Sequence, residues 1–561
     1  AAPARLRLSE VVNLHVHRSP YEHPRSPRYT PDMTETVQHA GDRSVASGLR
    51  WASARAAELT PDLVPAHGET VPITAPWTGE VLYELTQATE QDVDAAETAG
   101  RTAQRAWSAT TAAHRRKMLF AAHDLVVSRR GEIVDLLQLE TGKARGTAFE
   151  ELFAAAAVLR HTAVTAAGVL APQRRGGAIP GLMSVRVDQV PKGLVSVVTP
   201  WNFPLALTAL DVIPAIAAGN AVLQKIDDKT ALNVLAYRRA LLDAGLPPAV
   251  WQIVVGPGAT VGNAVVDAGD HVAFTGSTAT GARIAERVAP RLKSVSLELG
   301  GKNPMIVLDD IDPAAAARQA VAASFSSTGQ LCVSIERIYV LESVASEFLV
   351  AFAEATARIV LGSGLNYGAD VGSLTSQDQL DRVSGHVQDA VDKGAIVVVG
   401  GRARPDLGPL FYEPTILANV TPDMECFAGE TFGPVVAVHI VRSLEEAIAA
   451  ANDSEYGLNA SVLSGSTKRA AAVARRLDAG SVNINEGYRA TFGALGVPQG
   501  GMKRSGLGRR NGPEGILRYT QSRAIAAPSP LVPLPDSGRA AAQLEPVLTA
   551  ALHVLRALRL P

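Results

Sequence analysis

Only two cysteines, Cys332 and Cys426, occur in 561 residues. That scarcity excludes a disulfide framework and makes a reducing cytoplasm the simplest home. An excess of either charge is also missing, with 53 Lys+Arg against 55 Asp+Glu and a net charge of −2. Such a surface has no broad footprint for a phosphate backbone, so no nucleic-acid partner is expected. No run reaches the ~20 continuously apolar residues of a membrane span. The first residues lack the charged, apolar and small-residue layout of a secretory signal. No internal repeat is visible. What is present is a 47% hydrophobic share, ample for packed cores and incompatible with wholesale disorder. The length implies several domains, since single cores rarely grow beyond ~250–300 residues.

Residues 1–60 are expected to be a flexible extension, because 14–31 mix His, Arg and Pro without apolar periodicity. Met33 is a candidate start. Apolar spacing at i, i+3, i+4 predicts helices over 92–115, 116–139 and 152–170. Residues 183–187 alternate like a half-buried strand, and 194–198 form the apolar run of a buried parallel strand. Strands at 221–224, 251–255 and 271–274 then alternate with helices near 230–244 and 281–288. A second alternating series runs from about 304 to 482. Alternation of this kind implies doubly wound parallel sheets, an α/β class. Residues 528–535 read as a Pro-rich linker. The apolar segment 540–560 carries Glu545, His553, Arg556 and Arg559, so it reads as a helix packed on the body or on a partner rather than a span.

Four short segments carry residues able to do chemistry. In Val198-Thr199-Pro200-Trp201-Asn202-Phe203-Pro204, flanking prolines fix the backbone at a strand's carboxyl end, where open sheets bind ligands. The Asn202 amide there can donate to a developing oxyanion, or Asn202 can cap the next helix. Phe274-Thr275-Gly276-Ser277 feeds a helix N-terminus suited to a pyrophosphate, or forms an ordinary Ser-capped turn. Gly256-Pro257-Gly258 is a weaker signal of the same kind. Glu298, before Leu299-Gly300-Gly301-Lys302, lies in an apolar context that would raise its pKa into a general base's range; the alternative is an ion pair with Lys302. Cys332 closes Thr328-Gly329-Gln330-Leu331-Cys332, and a lone cysteine is ordinarily an inert small hydrophobe.

The ordered set persuades where its members do not. Asn202, Gly276-Ser277, Glu298-Leu299-Gly300-Gly301-Lys302 and Gly329-Gln330-Leu331-Cys332 are followed by Glu430-Thr431-Phe432-Gly433-Pro434 and Pro498-Gln499-Gly500-Gly501-Met502. Together they resemble the NAD(P)-dependent aldehyde dehydrogenase superfamily over about residues 76–523, including the separation of Glu298 from Cys332. The resemblance implies that fold: two doubly wound α/β domains plus a bridging β-element. It assigns 61–180 and 194–299 to a cofactor-binding domain and 300–515 to a catalytic domain. Residues 181–193 and 516–526 become a bridging and oligomerisation element, leaving 527–561 as linker and terminal helix. Open strand edges there lead us to expect a homodimer or homotetramer.

By the same resemblance Cys332 is the nucleophile toward an aldehyde, Asn202 with the Cys332 N–H holds the oxyanion, and Glu298 activates the hydrolytic water. Trp201, Lys225, Gly276, Ser277, Leu299, Glu430 and Phe432 match cofactor contacts, and no metal is implied. Ile226 departs from the proline usual after the lysine. Asp228 matches the acidic residue on the ribose 2′-hydroxyl, which favours NAD while leaving NADP open; it can equally cap the helix near Thr230. Within the superfamily the sequence looks most like actinobacterial succinate-semialdehyde dehydrogenases, through Cys332-Val333-Ser334-Ile335-Glu336-Arg337, Gly408-Pro409-Leu410-Phe411-Tyr412 and Tyr456-Gly457-Leu458-Asn459. That implies succinate semialdehyde as substrate. The positions of the two arginines that clamp the carboxylate in better-known members are Leu210 and Ser326 here, a loss that weakens specificity. Arg489 is a candidate replacement, against the ordinary reading of a solvated loop arginine. A neutral aliphatic aldehyde, a CoA-acylating reaction and a non-catalytic relative are the rival readings.

Overall fold

The computed structural model describes residues 44–179, 182–528 and 535–559. Two parallel sheets organise it. A six-stranded sheet is ordered Gly506–Leu507, Ser294–Glu298, His271–Thr275, Leu194–Val198, Ala221–Lys225, Trp251–Val254. All neighbours in it are parallel except the return strand Gly506–Leu507. Its central strands are nearly all apolar and buried because helices cover both faces. A seven-stranded sheet is ordered Ile396–Val399, Thr415–Ala418, Val435–Val441, Ile335–Leu341, Asn303–Val307, Asn459–Leu463, Ser481–Ile484. It is parallel apart from its edge strand Ile396–Val399. The chain crosses from one sheet to the other through Leu299-Gly300-Gly301-Lys302, between Ser294–Glu298 and Asn303–Val307. That crossing places the strand-end loops of both sheets against each other.

A third sheet stands apart, with Met183–Pro191 between Gln173–Arg175 and Thr520–Pro528, all antiparallel. Its pairing runs from Thr520 opposite Pro191 to Pro528 opposite Met183, so the two segments read as a bridging element do meet.

Several details differ from the sequence reading. Within the segment expected to be flexible, Val45–Leu59 is a helix, capped by the Ser44 hydroxyl. Gly48, Leu49, Ala52, Ala56 and Leu59 make its buried stripe, at helical spacing that the Pro-rich stretch before it obscured. Residues 14–31 and Met33 lie outside the described residues. The helix read over 116–139 is two, Ala112–Ser128 and Arg130–Thr141, broken where Arg129 leaves helical geometry (φ −91°, ψ 13°). Thr70–Thr74 and Val81–Thr86 form an antiparallel hairpin that the sequence reading lacked. Arg145–Val169 is long and apolar enough by composition to cross a membrane, yet about half of that apolar window is buried against neighbouring helices, as in a core helix. Most of the expected linker lies outside the described residues. The terminal helix spans Gly538–Ala557; none of its side chains is fully buried, and Leu544, Leu548, Ala551 and Leu555 are half-buried along one face.

Candidate active site

Cys332 is half-buried and immediately precedes the strand Ile335–Leu341. The turn leading to it is tightly constrained. Ser327 (φ 53°), Thr328 (φ 57°) and Gly329 (φ 68°) are successively left-handed, a conformation that costs a β-branched residue of order 1–3 kcal/mol. A Cβ at Gly329 would lie 2.0 Å from the Gly433 carbonyl oxygen. The backbone after the turn is held by an asparagine ladder. Asn303 Nδ2 donates to the carbonyls of Cys332 (2.8 Å) and Ser334 (2.7 Å), while its Oδ1 accepts from the Asn459 N–H (3.0 Å). Asn459 Nδ2 donates to Val333 O and Gly487 O, and Asn483 Nδ2 donates to Asn459 Oδ1.

Asn202 faces this loop from the six-stranded sheet. Its amide donates to Gln330 O at 2.9 Å, and its own carbonyl accepts from Lys143 Nζ at 2.8 Å. Asn202 is therefore no helix cap. The helix Pro204–Ala217 is capped instead by Glu151, whose Oε1 accepts from the N–H groups of Leu205 (2.7 Å) and Ala206 (3.2 Å). Glu298 is buried at the end of its strand, and its Oε1 has no hydrogen-bond partner. Lys302 does not pair with it. That lysine pairs with Glu336 at 2.5 Å, and Glu336 in turn accepts from the N–H groups of Thr431 and Phe432, both at 2.9 Å. Gly300 and Gly301 let the strands converge: a Cβ on the first would meet Glu430 Oε2, and on the second the Cys332 carbonyl, each at 2.6 Å.

A cavity of about 320 Å³ opens between the two sheets. Trp201, Asn202, Lys225, Gly276, Ser277, Leu299, Cys332, Glu430 and Phe432 all line it, together with Asp227 and Arg382. Trp201 and Phe432 meet edge to face at 5.8 Å. The helix Thr278–Val288 starts at the cavity, and Ser277 caps it through Thr280 N–H, as the capped-turn reading expects. Free N–H groups at such a helix start suit a diphosphate, and the cavity lining runs from Lys225 to Cys332.

Burial dominates the site's electrostatics. It raises Glu298 to about 7, opposed by the guanidinium groups of Arg510 and Arg518. Burial also raises Glu430 to about 8, with Glu336 adding repulsion and the Gly301 N–H opposing. The Cys332 thiol is pushed up to about 12 by burial, then by Glu430 and Glu298. Behind Glu298 lies a buried ion cluster in which Arg510 and Arg518 both donate to Asp211. Burial opposes ionisation of Asp211, and these two cations more than compensate, holding it below the usual carboxylate range.

The aldehyde dehydrogenase family model matches residues 63–525. This chain belongs to the aldehyde dehydrogenase family. A Mycolicibacterium smegmatis protein, "Putative succinate-semialdehyde dehydrogenase [NADP(+)]", is 49% identical over 81% of this chain and 88% of its own length. The Arabidopsis thaliana mitochondrial succinate-semialdehyde dehydrogenase is 36% identical over 82% and 86% respectively. Among solved structures, betaine aldehyde dehydrogenase from Staphylococcus aureus in complex with NAD+ has a TM-score of 0.81 and 30% identity, covering 87% of this chain and 99% of that one. The activity is thus oxidation of an aldehyde with a nicotinamide dinucleotide.

For an aldehyde dehydrogenase, the residues singled out in the sequence converge well, with two exceptions. Neither Glu298 nor Asp228 lines the cavity, although Asp228 Oδ1 lies 3.9 Å from the Nζ of the lining residue Lys225. Asp228 accepts from Gln87 Nε2 at 2.6 Å and from the Gly256 N–H at 2.8 Å, leaving Asp227 as the carboxylate that lines the cavity. The helical turn there is capped by Asp227, not Asp228. Three groups were missed: the asparagine ladder, Glu336 with Lys302, and Lys143 with Glu151. Asparagine within apolar strands was the available signal, since it is disfavoured there.

Proposed function

We propose that the chain oxidises succinate semialdehyde to succinate by covalent catalysis at Cys332. Support comes from the names of its relatives and, above all, from Cys332 and Asn202 lining one cavity with Trp201, Lys225 and Glu430, beside the buried carboxyl of Glu298. Burial pushes the Cys332 thiol up to about 12, so its proton passes to solvent water as the Sγ–carbon bond forms and the aldehyde C=O bond becomes a C–O⁻. The resulting oxyanion accepts hydrogen bonds from the second Asn202 amide N–H and from the Cys332 backbone N–H. A bound dinucleotide would supply the hydride acceptor, and Cys332 would carry the acyl group as a thioester once that carbon has lost its hydride. Glu298 then removes a proton from water as its oxygen bonds to the acyl carbon, and the carbon–sulfur bond breaks to release the acid and the thiol. A base reserved for water favours hydrolysis over transfer to CoA.

Trp201, Phe432 and Glu430 would hold the nicotinamide end, Gly276 and Ser277 the diphosphate, and Lys225 the adenosine end. NADP is accepted as well as NAD, because the Asp228 carboxylate that would repel a 2′-phosphate is engaged elsewhere. Lys229 also places an exposed ammonium 3.5 Å from Asp227. The chain divides into 61–180 with 194–299 for the dinucleotide, 300–515 for chemistry, and 181–193 with 516–526 as the bridge. The test is steady-state turnover of succinate semialdehyde and butanal with each dinucleotide, without CoA. Clearly faster turnover of butanal overturns the substrate, and product formation only with CoA overturns the hydrolytic route. Cys332→Ser is expected to abolish turnover, whereas Glu298→Gln keeps a single burst of reduced dinucleotide.

A further inference from the structure

Lys143 and Glu151 form a buried ion pair beside Asn202, yet neither lines the cavity. The Lys143 side chain is 2% exposed and that of Glu151 is fully enclosed. Such a pair is a poor means of stabilising a fold, because taking both charges out of water offsets their attraction. Its polar atoms are spent instead on the chain around Asn202. Lys143 Nζ donates to the Asn202 carbonyl at 2.8 Å and to Glu151 Oε2 at 2.5 Å, and stands over the Phe203 ring at 4.1 Å. Glu151 Oε1 accepts from the Leu205 and Ala206 N–H groups at the start of the helix Pro204–Ala217. One ion pair thus grips the backbone before and after Phe203-Pro204.

A second route ties the same lysine to the reacting loop, through residues 372–375. Toward Lys143, the Ser373 N–H donates to Gly142 O at 2.9 Å and Thr375 Oγ1 donates to Thr141 O at 2.8 Å. The approach is so close that a Cβ at Gly372 would lie 2.0 Å from Gly142 O. Toward Cys332, the Thr375 N–H donates to Gln330 Oε1 at 3.1 Å, and Thr328 Oγ1 donates to Ser373 O at 3.2 Å. Asn202 Nδ2 closes the circuit on Gln330 O at 2.9 Å. Asn202, Lys143, Thr141, Thr375 and Gln330 therefore form one hydrogen-bonded ring along the backbone and side chains, and all five are buried. Cys332 follows Gln330 by two residues.

We infer that Lys143, backed by Glu151, is a positioning residue for the oxyanion: it holds the Asn202 amide at the separation from Cys332 at which both N–H donors reach one oxygen. This assignment rests on the oxyanion role given to Asn202 above. One Asn202 amide hydrogen is committed to Gln330 O, so the aim of the other follows the backbone that carries it. The ring makes that backbone and the reacting loop move as one piece. A displacement of about 1 Å between groups that must act together can cost about a hundredfold in rate.

The experiment measures the single-turnover rate of reduced-dinucleotide formation, with enzyme in excess over whichever of succinate semialdehyde and butanal the wild type turns over faster. The wild type, Lys143→Met with Glu151→Gln, Asn202→Ala, and all three changes together form a cycle. The paired variant carries no buried charge and keeps a capping oxygen for Leu205 and Ala206. Asn202→Ala loses the amide but keeps the carbonyl that Lys143 holds. The paired change is expected to slow the wild type by about tenfold, and Asn202→Ala to slow it by about a hundredfold. In the Asn202→Ala background the paired change should alter the rate by less than about twofold, because no amide is left to misplace. Equal slowing in both backgrounds would show a general loosening and overturn the inference, as would no slowing of the wild type. If Asn202→Ala alone leaves the rate unchanged, the oxyanion reading has failed and the positioning role falls with it. Should the paired variant not fold, Glu151→Gln alone, isosteric with the wild type, runs through the same cycle. Slowing by about threefold only where Asn202 is retained supports the role, and its absence overturns it.

Discussion

Glu298 illustrates how one buried carboxyl couples chemistry to pH. Burial raises its pKa from 4.5 to about 7, against the pull of Arg510, Arg518 and Arg509 and with the push of Asp211. Water activation needs the carboxylate, so the single-turnover deacylation rate is expected to climb with pH and level off above about 7. The climb disappears in Glu298→Gln along with hydrolysis itself. Stability runs the other way. A carboxyl whose folded pKa is raised favours the protonated fold, so its effect turns unfavourable as pH rises from 4.5 through 7. Glu298→Gln is therefore expected to raise the thermal midpoint at pH 8 and leave it nearly unchanged at pH 4.5, measured by calorimetry. A lower midpoint at pH 8 would show that the carboxylate is structurally required. Residues of this kind were legible in the sequence because their side chains carry chemistry in an unusual local setting. The hydrogen-bond partners of Asp228 were not legible, for a reason equally local. Its partners Gln87 and Gly256 lie 141 and 28 residues away in sequence, and no neighbouring pattern announces them.

At the scale of elements, the parallel strands and most covering helices were legible from apolar runs and helical spacing. The hairpin Thr70–Thr74 with Val81–Thr86 was not, because two short, half-exposed strands give little periodicity. Nor was the ladder that fixes the reacting loop, since Asn303, Asn459 and Asn483 sit on three strands that only the fold brings together. Each such amide satisfies buried carbonyls, and an acceptor left alone costs about 1–3 kcal/mol. Asn459→Ala strips Val333 O and Gly487 O of their donor at once. We expect it to lower stability by about 2–5 kcal/mol in denaturant melts and to cut kcat by about tenfold through a loosened Cys332 loop. Unchanged kcat at lowered stability would make the ladder a matter of folding alone.

For the whole molecule, two surfaces among the described residues are open to a second copy of the chain. Thr520–Pro528 is an edge strand of nine residues, exposed along nearly all its length, with one side paired to Met183–Pro191 and the other open. The helix Gly538–Ala557 is largely exposed as well, with Val547, Leu552 and Val554 each more than half exposed. The edge strand presents a row of unpaired backbone groups whose register is already set by the sheet behind it. The helix presents a stripe with no backbone requirement to satisfy. Assembly is therefore expected to depend on the strand. Replacing Ala524 with Pro removes an N–H from that edge and bends it, and should lower the mass measured by light scattering. Truncation after Pro528 should leave both mass and kcat/KM unchanged. The reverse pattern, a smaller particle on truncation and none on Ala524→Pro, would assign assembly to the terminal helix and leave the open edge to solvent.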